Sequence, residues 1–212
     1  MSRRLTPRGA ERRRALLDTA ARHFASDGYH PTSVAAIVDD LGVGKGVFYW
    51  YFDSKDDCYR QILVDAQRSL RAVQRDAVAD EHDPARRIDA GIRASMHWLA
   101  DNRHLFALLE QARTDERFAP LVRRGEQQMV ADTLPHIRAG IAAGLLRRED
   151  PELLAVAILG VTDALARAVV LQAGDGPDAG AAADRAAEAA ISFCRRGLLV
   201  DEADPRSERT PA

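Results

Sequence analysis

Cysteine is scarce in this 212-residue chain: Cys58 and Cys194 are the only two, far apart and in no CxxC pattern. Neither a disulfide framework nor a cysteine metal cluster is available to it. Aromatic residues make up 6%, and runs of alternating Val, Ile, Thr and Tyr are missing, which argues against a large sheet. No apolar signal segment follows the Arg-rich start, so a reducing cytoplasm is the expected compartment. GxSxG, P-loop and HExxH motifs are absent. His97 and His104 stand seven apart without a cysteine or carboxylate to complete a metal set. Asp39, Asp40, Asp53, Asp56 and Asp57 read as helix-end charges, with nothing to raise a pKa for acid–base work. No enzyme, metal or cofactor is expected. Lysine is also nearly missing: 28 of the 30 basic residues are arginine, and the two lysines are Lys45 and Lys55.

What is present favours helices: hydrophobic residues form 46% of the chain and charged ones 29%, with many Ala, Leu and Arg. The length suffices for one large domain or two modest ones. The longest apolar stretch, LLAVAILGVTDALARAVVLQA at 153–173, could span a bilayer by length, but Asp163 and Arg167 lie in its middle. A charge there costs about 2.5–3.5 kcal/mol on insertion scales, so a buried helix of a soluble protein is expected and no membrane contact. Net charge is −2 and unevenly spread: residues 1–60 carry ten basic against eight acidic residues, and the remainder is acidic by four. A basic N-terminal end on an acidic body fits a chain that touches nucleic acid with one end.

Leu16, Leu17, Ala20, Ala21 and Phe24 recur at helical spacing from about Ala10, and SDGYHP stops them with Gly28 and Pro31. Thr32 or Ser33 then offers an N-cap oxygen to a short helix carrying Val34, Ile37, Val38 and Leu41 on one face, closed by Gly42 in the left-handed conformation. A third helix over 44–52 follows after a short turn, and Asp53 or Ser54 caps a fourth over about 54–78. Later helices are expected at about 85–101, 103–112, 116–144, 151–173 and 179–198.

Two short helices joined by a glycine-containing turn make the minimal unit for seating one helix in a DNA major groove. Phe48 and Phe52, four apart, can anchor the second helix. Gly44, Lys45, Gly46, Val47, Tyr49, Trp50 and Tyr51 remain for its exposed and flanking faces, and glycine at 44 and 46 allows close backbone approach. The stretch ALLDTAARHFASDGYHPTSVAAIVDDLGVGKGVFYWYFDSKDDCYRQIL resembles the N-terminal domain of the tetracycline-repressor (TetR) family of bacterial transcriptional regulators. Phe24 and Gly28, Thr32-Ser33-Val34, Ile37, Leu41-Gly42-Val43, Phe48-Tyr49-x-Tyr51-Phe52 and Ser54-Lys55 carry the likeness over about residues 10–65.

The resemblance implies an all-α protein of about nine helices. A DNA-binding domain would occupy 10–70, with its helix-turn-helix at about 33–52, and a regulatory and dimerisation domain 71–200. A basic arm at 1–9 and a tail at 201–212 complete the chain. It implies a homodimeric repressor that binds double-stranded DNA at a palindromic operator and is released by a small molecule. Thr32 and Ser33 would hold phosphate, Val43, Gly44, Lys45, Gly46 and Val47 would lie near base edges, and Tyr49, Trp50, Tyr51 and Lys55 near the backbone. Gly44 departs from the polar residue frequent in the family, which leaves Lys45 as the best candidate for base readout. The N-terminal arginines could reach an adjacent minor groove.

Dimerisation is expected through the last two helices: Leu154, Ala157, Ile158, Val161, Leu165 and Ala168 form one stripe, and Ala183, Ala186, Ala187 and Ala190 permit close approach of the other helix. Two recognition helices would then stand about 34–36 Å apart, or a multiple of it. An apolar or amphipathic effector would lie among His97, Trp98, His104, Phe106, Phe118, Met129 and His136. The competing expectation is a helical ligand-binding or protein-interaction module whose helix-turn-helix does not grip DNA.

Overall fold

Several helices start where a short polar side chain takes up their first free N–H groups. The computed structural model describes residues 6–173 and 178–199. In chain order the elements are α1 (Pro7–Asp27), α2 (Val34–Asp40), α3 (Lys45–Tyr51), α4 (Lys55–Val78), α5 (Pro84–Asp101), α6 (Arg103–Thr114), α7 (Ala119–Ala142), α8 (Pro151–Leu165), a π-helical turn (Ala166–Val170) and α9 (Asp178–Leu198). The only extended pairing among the described residues is an isolated antiparallel bridge between Leu146 and Leu199. The protein is all-α, as expected.

Three helix starts share one device. Thr6 accepts from the Gly9 amide, Asp83 from Ala85 and Arg86, and Asp150 from Glu152, and in each case proline follows at the first helical position. Proline loses nothing there, because that N–H has no partner within the helix. The Thr6–Pro7 pair starts α1 three residues earlier than apolar spacing indicates, so Arg8, expected in a basic arm, lies within a helix. Arg3, Arg4, residues 174–177 and the expected tail at 201–212 lie outside the described residues. The apolar run expected as one helix over 151–173 changes form at Ala166, where the Leu171 amide reaches back five residues to the Ala166 carbonyl at 2.9 Å.

The chain divides into two units, one of Met1–Arg68 with His104–Gly125 and one of Ser69–Arg103 with Glu126–Ala212. The first thus takes in a mid-chain segment that the sequence alone assigns wholly to the regulatory part. Its core gathers Leu16, Ala20 and Phe24 of α1, Ile37 and Val38 of α2, Phe48 and Phe52, and Tyr59 and Leu63 of α4, all at 3% exposure or less. Leu108 and Phe118 join them, and the Tyr59 hydroxyl donates to the Leu108 carbonyl at 3.2 Å.

In the second unit α9 packs most extensively on α5 and also on α8 and the π turn. Ala183, Ala186, Ala187 and Ala190 are fully buried there, so the alanines expected at a subunit interface are the surface through which α9 meets its own chain. Asp89 on α5 is buried and accepts from Arg195 on α9 (Nε 2.9 Å), tying the same pair. The apolar α8 is the reverse case. Pro151–Val170 is long and apolar enough to cross a membrane by length and composition, yet only 28% of its apolar window is buried, and Leu153 and Val156 are 68% and 54% exposed. The expectation of a buried helix fails within the chain itself. The two central charges pair, Arg167 with Asp163 at 2.5 Å.

Candidate nucleic-acid interface

The turn between α2 and α3 closes by a paired hydrogen-bond pattern. The Val43 amide donates to the Val38 carbonyl (2.9 Å) and the Gly42 amide to that of Asp39 (3.1 Å), with Gly42 at φ 63°. A side chain at Gly42 would be strained in that left-handed conformation. At the other end of α2, Ser33 caps by accepting from the Ala36 amide at 3.1 Å. Gly44 caps α3 with no side-chain bond, as its composition requires.

Phe48 and Phe52, 5.2 Å apart between ring centroids, are buried and fix the inner side of α3. That leaves Gly44, Lys45, Gly46, Tyr49 and Trp50 exposed, with Val43, Val47 and Tyr51 half-buried. Lys45, Gly46, Tyr49 and Trp50 fall at positions i, i+1, i+4 and i+5 and so share one face. Neither Gly44 nor Gly46 has positive φ, and a Cβ at either would meet nothing within 4 Å. No fold constraint therefore demands glycine at these two positions. Asp40, at the end of α2, is paired with Arg22 at 3.4 Å and His23 at 3.5 Å.

Two expected phosphate ligands are committed elsewhere. Thr32 is buried, and its hydroxyl lies within donating distance of the carbonyls of Gly28 (2.8 Å) and His23 (3.1 Å). Only Ser33 of that pair is presented to solvent. The Lys55 ammonium donates to the carbonyls of Tyr29 (2.8 Å), His30 (3.3 Å) and Thr32 (2.8 Å), and stands 4.4 Å from the Tyr29 ring centroid. Its three protons match three carbonyls. Partial burial holds its pKa below the ordinary value, and Arg117 pushes the same way against the attraction of Asp56. Lys55 is a clamp on the α1–α2 connector rather than a free surface cation.

Sequence reasoning missed the groups around that clamp. Tyr29 is buried, donates its hydroxyl to Asp56, and packs against Tyr59 and Phe118. Burial, reinforced by the Asp56 carboxylate, pushes its pKa up. The scarcity of lysine singles out Lys55 but carries no indication of its partners, because carbonyl acceptors leave no mark in side-chain identity.

The effector candidates do not converge. Phe106 and Phe118 are buried and His104 is exposed in the first unit. In the second unit Trp98 is buried with its indole donating to Ser69 at 3.0 Å, and His97 lies 3.1 Å from Asp184. Met129 and His136 are half-buried. Burial first, and Arg87 second, hold the His136 pKa below 6.5. A cleft of about 320 Å³ in the first unit has Phe118 in its lining and none of the other six.

A short helix seated by two buried rings, its outer face exposed after a tight glycine turn, defines a helix-turn-helix protein. Residues 16–62 match the family described as bacterial regulatory proteins, tetR family. That match covers the helix-turn-helix and its supporting helices, and this N-terminal part of the chain is similar to the DNA-binding domain of the family. The chain is 25% identical over 111 residues to the "Probable acrEF/envCD operon repressor" of Escherichia coli (strain K12), covering 52% of this chain and 50% of that one. It is 36% identical over 84 residues to the transcriptional repressor KstR2 of Rhodococcus jostii, covering 40% and 41%. The chain thus spans about half the length of the first of these curated relatives and less of the second. A regulator of Saccharomonospora viridis solved with choline shares the fold at TM-score 0.75 and 20% identity, over 91% of this chain and all of that one. PfmR of Thermus thermophilus does so at TM-score 0.71 and 24% identity, over 86% and 97%.

Proposed function

We propose that the protein is a cytoplasmic, homodimeric transcriptional repressor that reads an inverted-repeat operator and is released by a small molecule. The observation that carries this reading is the outer face of α3, which offers a lysine, two glycines and two large rings to solvent while Phe48 and Phe52 hold its inner side. Lys45 is assigned to base edges in the major groove, with Val43, Gly44, Gly46 and Val47 beside it. Tyr49, Trp50, Tyr51 and Ser33 are assigned to the phosphate backbone. The exposed Arg8 and Arg12 of α1, one helical turn apart, extend the cationic surface.

The proposed subunit interface uses the exposed side of α8 and α9, with Leu153, Val156 and Phe193 at its centre, in place of the buried alanines. For the effector, Met129 and His136 on α7, both half-buried, are the assigned candidates. They favour an apolar or amphipathic ligand. Selection of bound sequences from random duplexes tests the whole reading. A palindrome is expected, and Lys45→Ala should weaken binding to it and relax preference at particular base pairs. No binding to any duplex at low salt would favour an interaction module instead.

A further inference from the structure

Residues 28–32 connect α1 to α2 and end beside Ser33, the exposed N-cap of α2. Whatever fixes this connector fixes where α2 begins. Lys55 holds its carbonyls from α4, as described above. A second hold comes from the turn between α6 and α7, more than sixty residues beyond the helix-turn-helix. There the Arg117 guanidinium lies 4.8 Å from the Tyr29 ring centroid and 5.0 Å from that of Phe118. It donates to both oxygens of Asp115 (Nε 3.0 Å, Nη2 2.7 Å) and stands 3.5 Å from Asp56, the acceptor of the Tyr29 hydroxyl. Phe118 packs on Tyr29 at 5.3 Å and on Tyr59 at 4.7 Å.

The rest of the space between connector and turn is open. The 320 Å³ cleft is lined by Tyr29 and His30 on one side and by Gln111, Thr114 and Asp115 on the other. Packing there is incomplete, so Tyr29, Phe118 and Arg117 form the link. The main core of the unit, around Leu16, Phe24, Ile37, Phe48 and Phe52, does not include Arg117, whose side chain is 40% exposed.

We propose that Arg117 is a positioning residue for DNA binding: through Tyr29 and Asp56 it holds the α1–α2 connector, and with it Ser33, in the register that meets the phosphate backbone. The DNA-binding machinery is then discontinuous in sequence, with one positioning contact supplied by the α6–α7 turn. This rests on the DNA-binding reading of α2 and α3.

The test uses the full chain, an operator obtained by selection, and fluorescence anisotropy. Arg117→Ala should weaken operator binding by more than about threefold, as expected for loss of a partly solvated cation–π and ion-pair contact. It should still melt cooperatively, with amide resonances shifted at residues 29–34. Arg117→Lys should restore only part of the affinity, because an ammonium lacks the planar two-point pairing. Combined with Tyr29→Leu, Arg117→Ala should add little further loss, whereas combined with Lys45→Ala the losses should multiply. Wild-type affinity in Arg117→Ala, or full multiplication with Tyr29→Leu, overturns the proposal while leaving the DNA-binding reading intact. Should Arg117→Ala fail to fold, Arg117→Lys and Tyr29→Phe carry the same comparison, and wild-type affinity in both overturns it. A wild-type chain that binds no duplex at low salt sinks the DNA-binding reading and this role together.

Discussion

A Cβ at Gly46 would meet no atom within 4 Å, and the residue does not have positive φ. Alanine there removes the backbone freedom that makes glycine poor in helices, so Gly46→Ala should raise stability by up to about 1 kcal/mol. If the glycine serves close approach to DNA, the same variant should bind the operator more weakly, since its methyl group stands on the exposed face of α3. Thermal melting and anisotropy on one preparation would then move in opposite directions, and a stabler variant with unchanged affinity would remove Gly46 from the interface. Gly42 is the contrast: at φ 63° its alanine variant should lose stability. His136 supplies a pH dependence. Its folded pKa lies below 6.5, through burial first and Arg87 second, so the unfolded chain binds the proton more readily. Its stabilising contribution is complete above about pH 6.5 and declines as pH falls toward the folded pKa. His136→Gln should flatten the fall in melting temperature below pH 6.5, measured as a difference from wild type.

At the scale of elements, caps decide more than propensity does. The Ser33 hydroxyl accepts from the Ala36 amide, and α2 is only seven residues long, so it has little else to hold its first turn. Ser33→Ala should cost about 1 kcal/mol in chemical denaturation; a loss indistinguishable from zero would mean that packing of Ile37 and Val38 alone holds α2. Helices α1 to α3 are legible in the sequence because apolar spacing, Gly28 and Gly42 agree with one another. The starts of α5 and α8 are legible to within a residue because Asp-Pro pairs announce them. The π-helical turn at Ala166–Val170 is not, since side-chain type there does not distinguish a four-residue from a five-residue backbone hydrogen bond. The buried side of α9 is hidden for a related reason: small side chains suit close packing within a chain as well as between chains. Thr32 and Lys55 read as surface groups because their partners are backbone carbonyls, which every residue carries.

For the whole molecule, the apolar surface left on α8 and α9 is the feature that needs covering. Leu153, Val156 and Phe193 are 68%, 54% and 61% exposed, and fully burying a side chain of this kind gains about 1.5–3 kcal/mol. In a two-fold interface every such residue is buried twice, once from each subunit. In the proposed subunit interface Val156→Glu therefore places two carboxylates, each without a partner. The variant should fold, because Val156 contributes little to its own chain's core, and should sediment as a monomer at concentrations where the wild type is a dimer. Its binding to a palindromic operator should fall far more than its binding to a single half-site, since only the former needs both recognition helices at once. A variant that remains dimeric would show that this face is covered by something other than a second copy, and the subunit interface would have to be sought elsewhere.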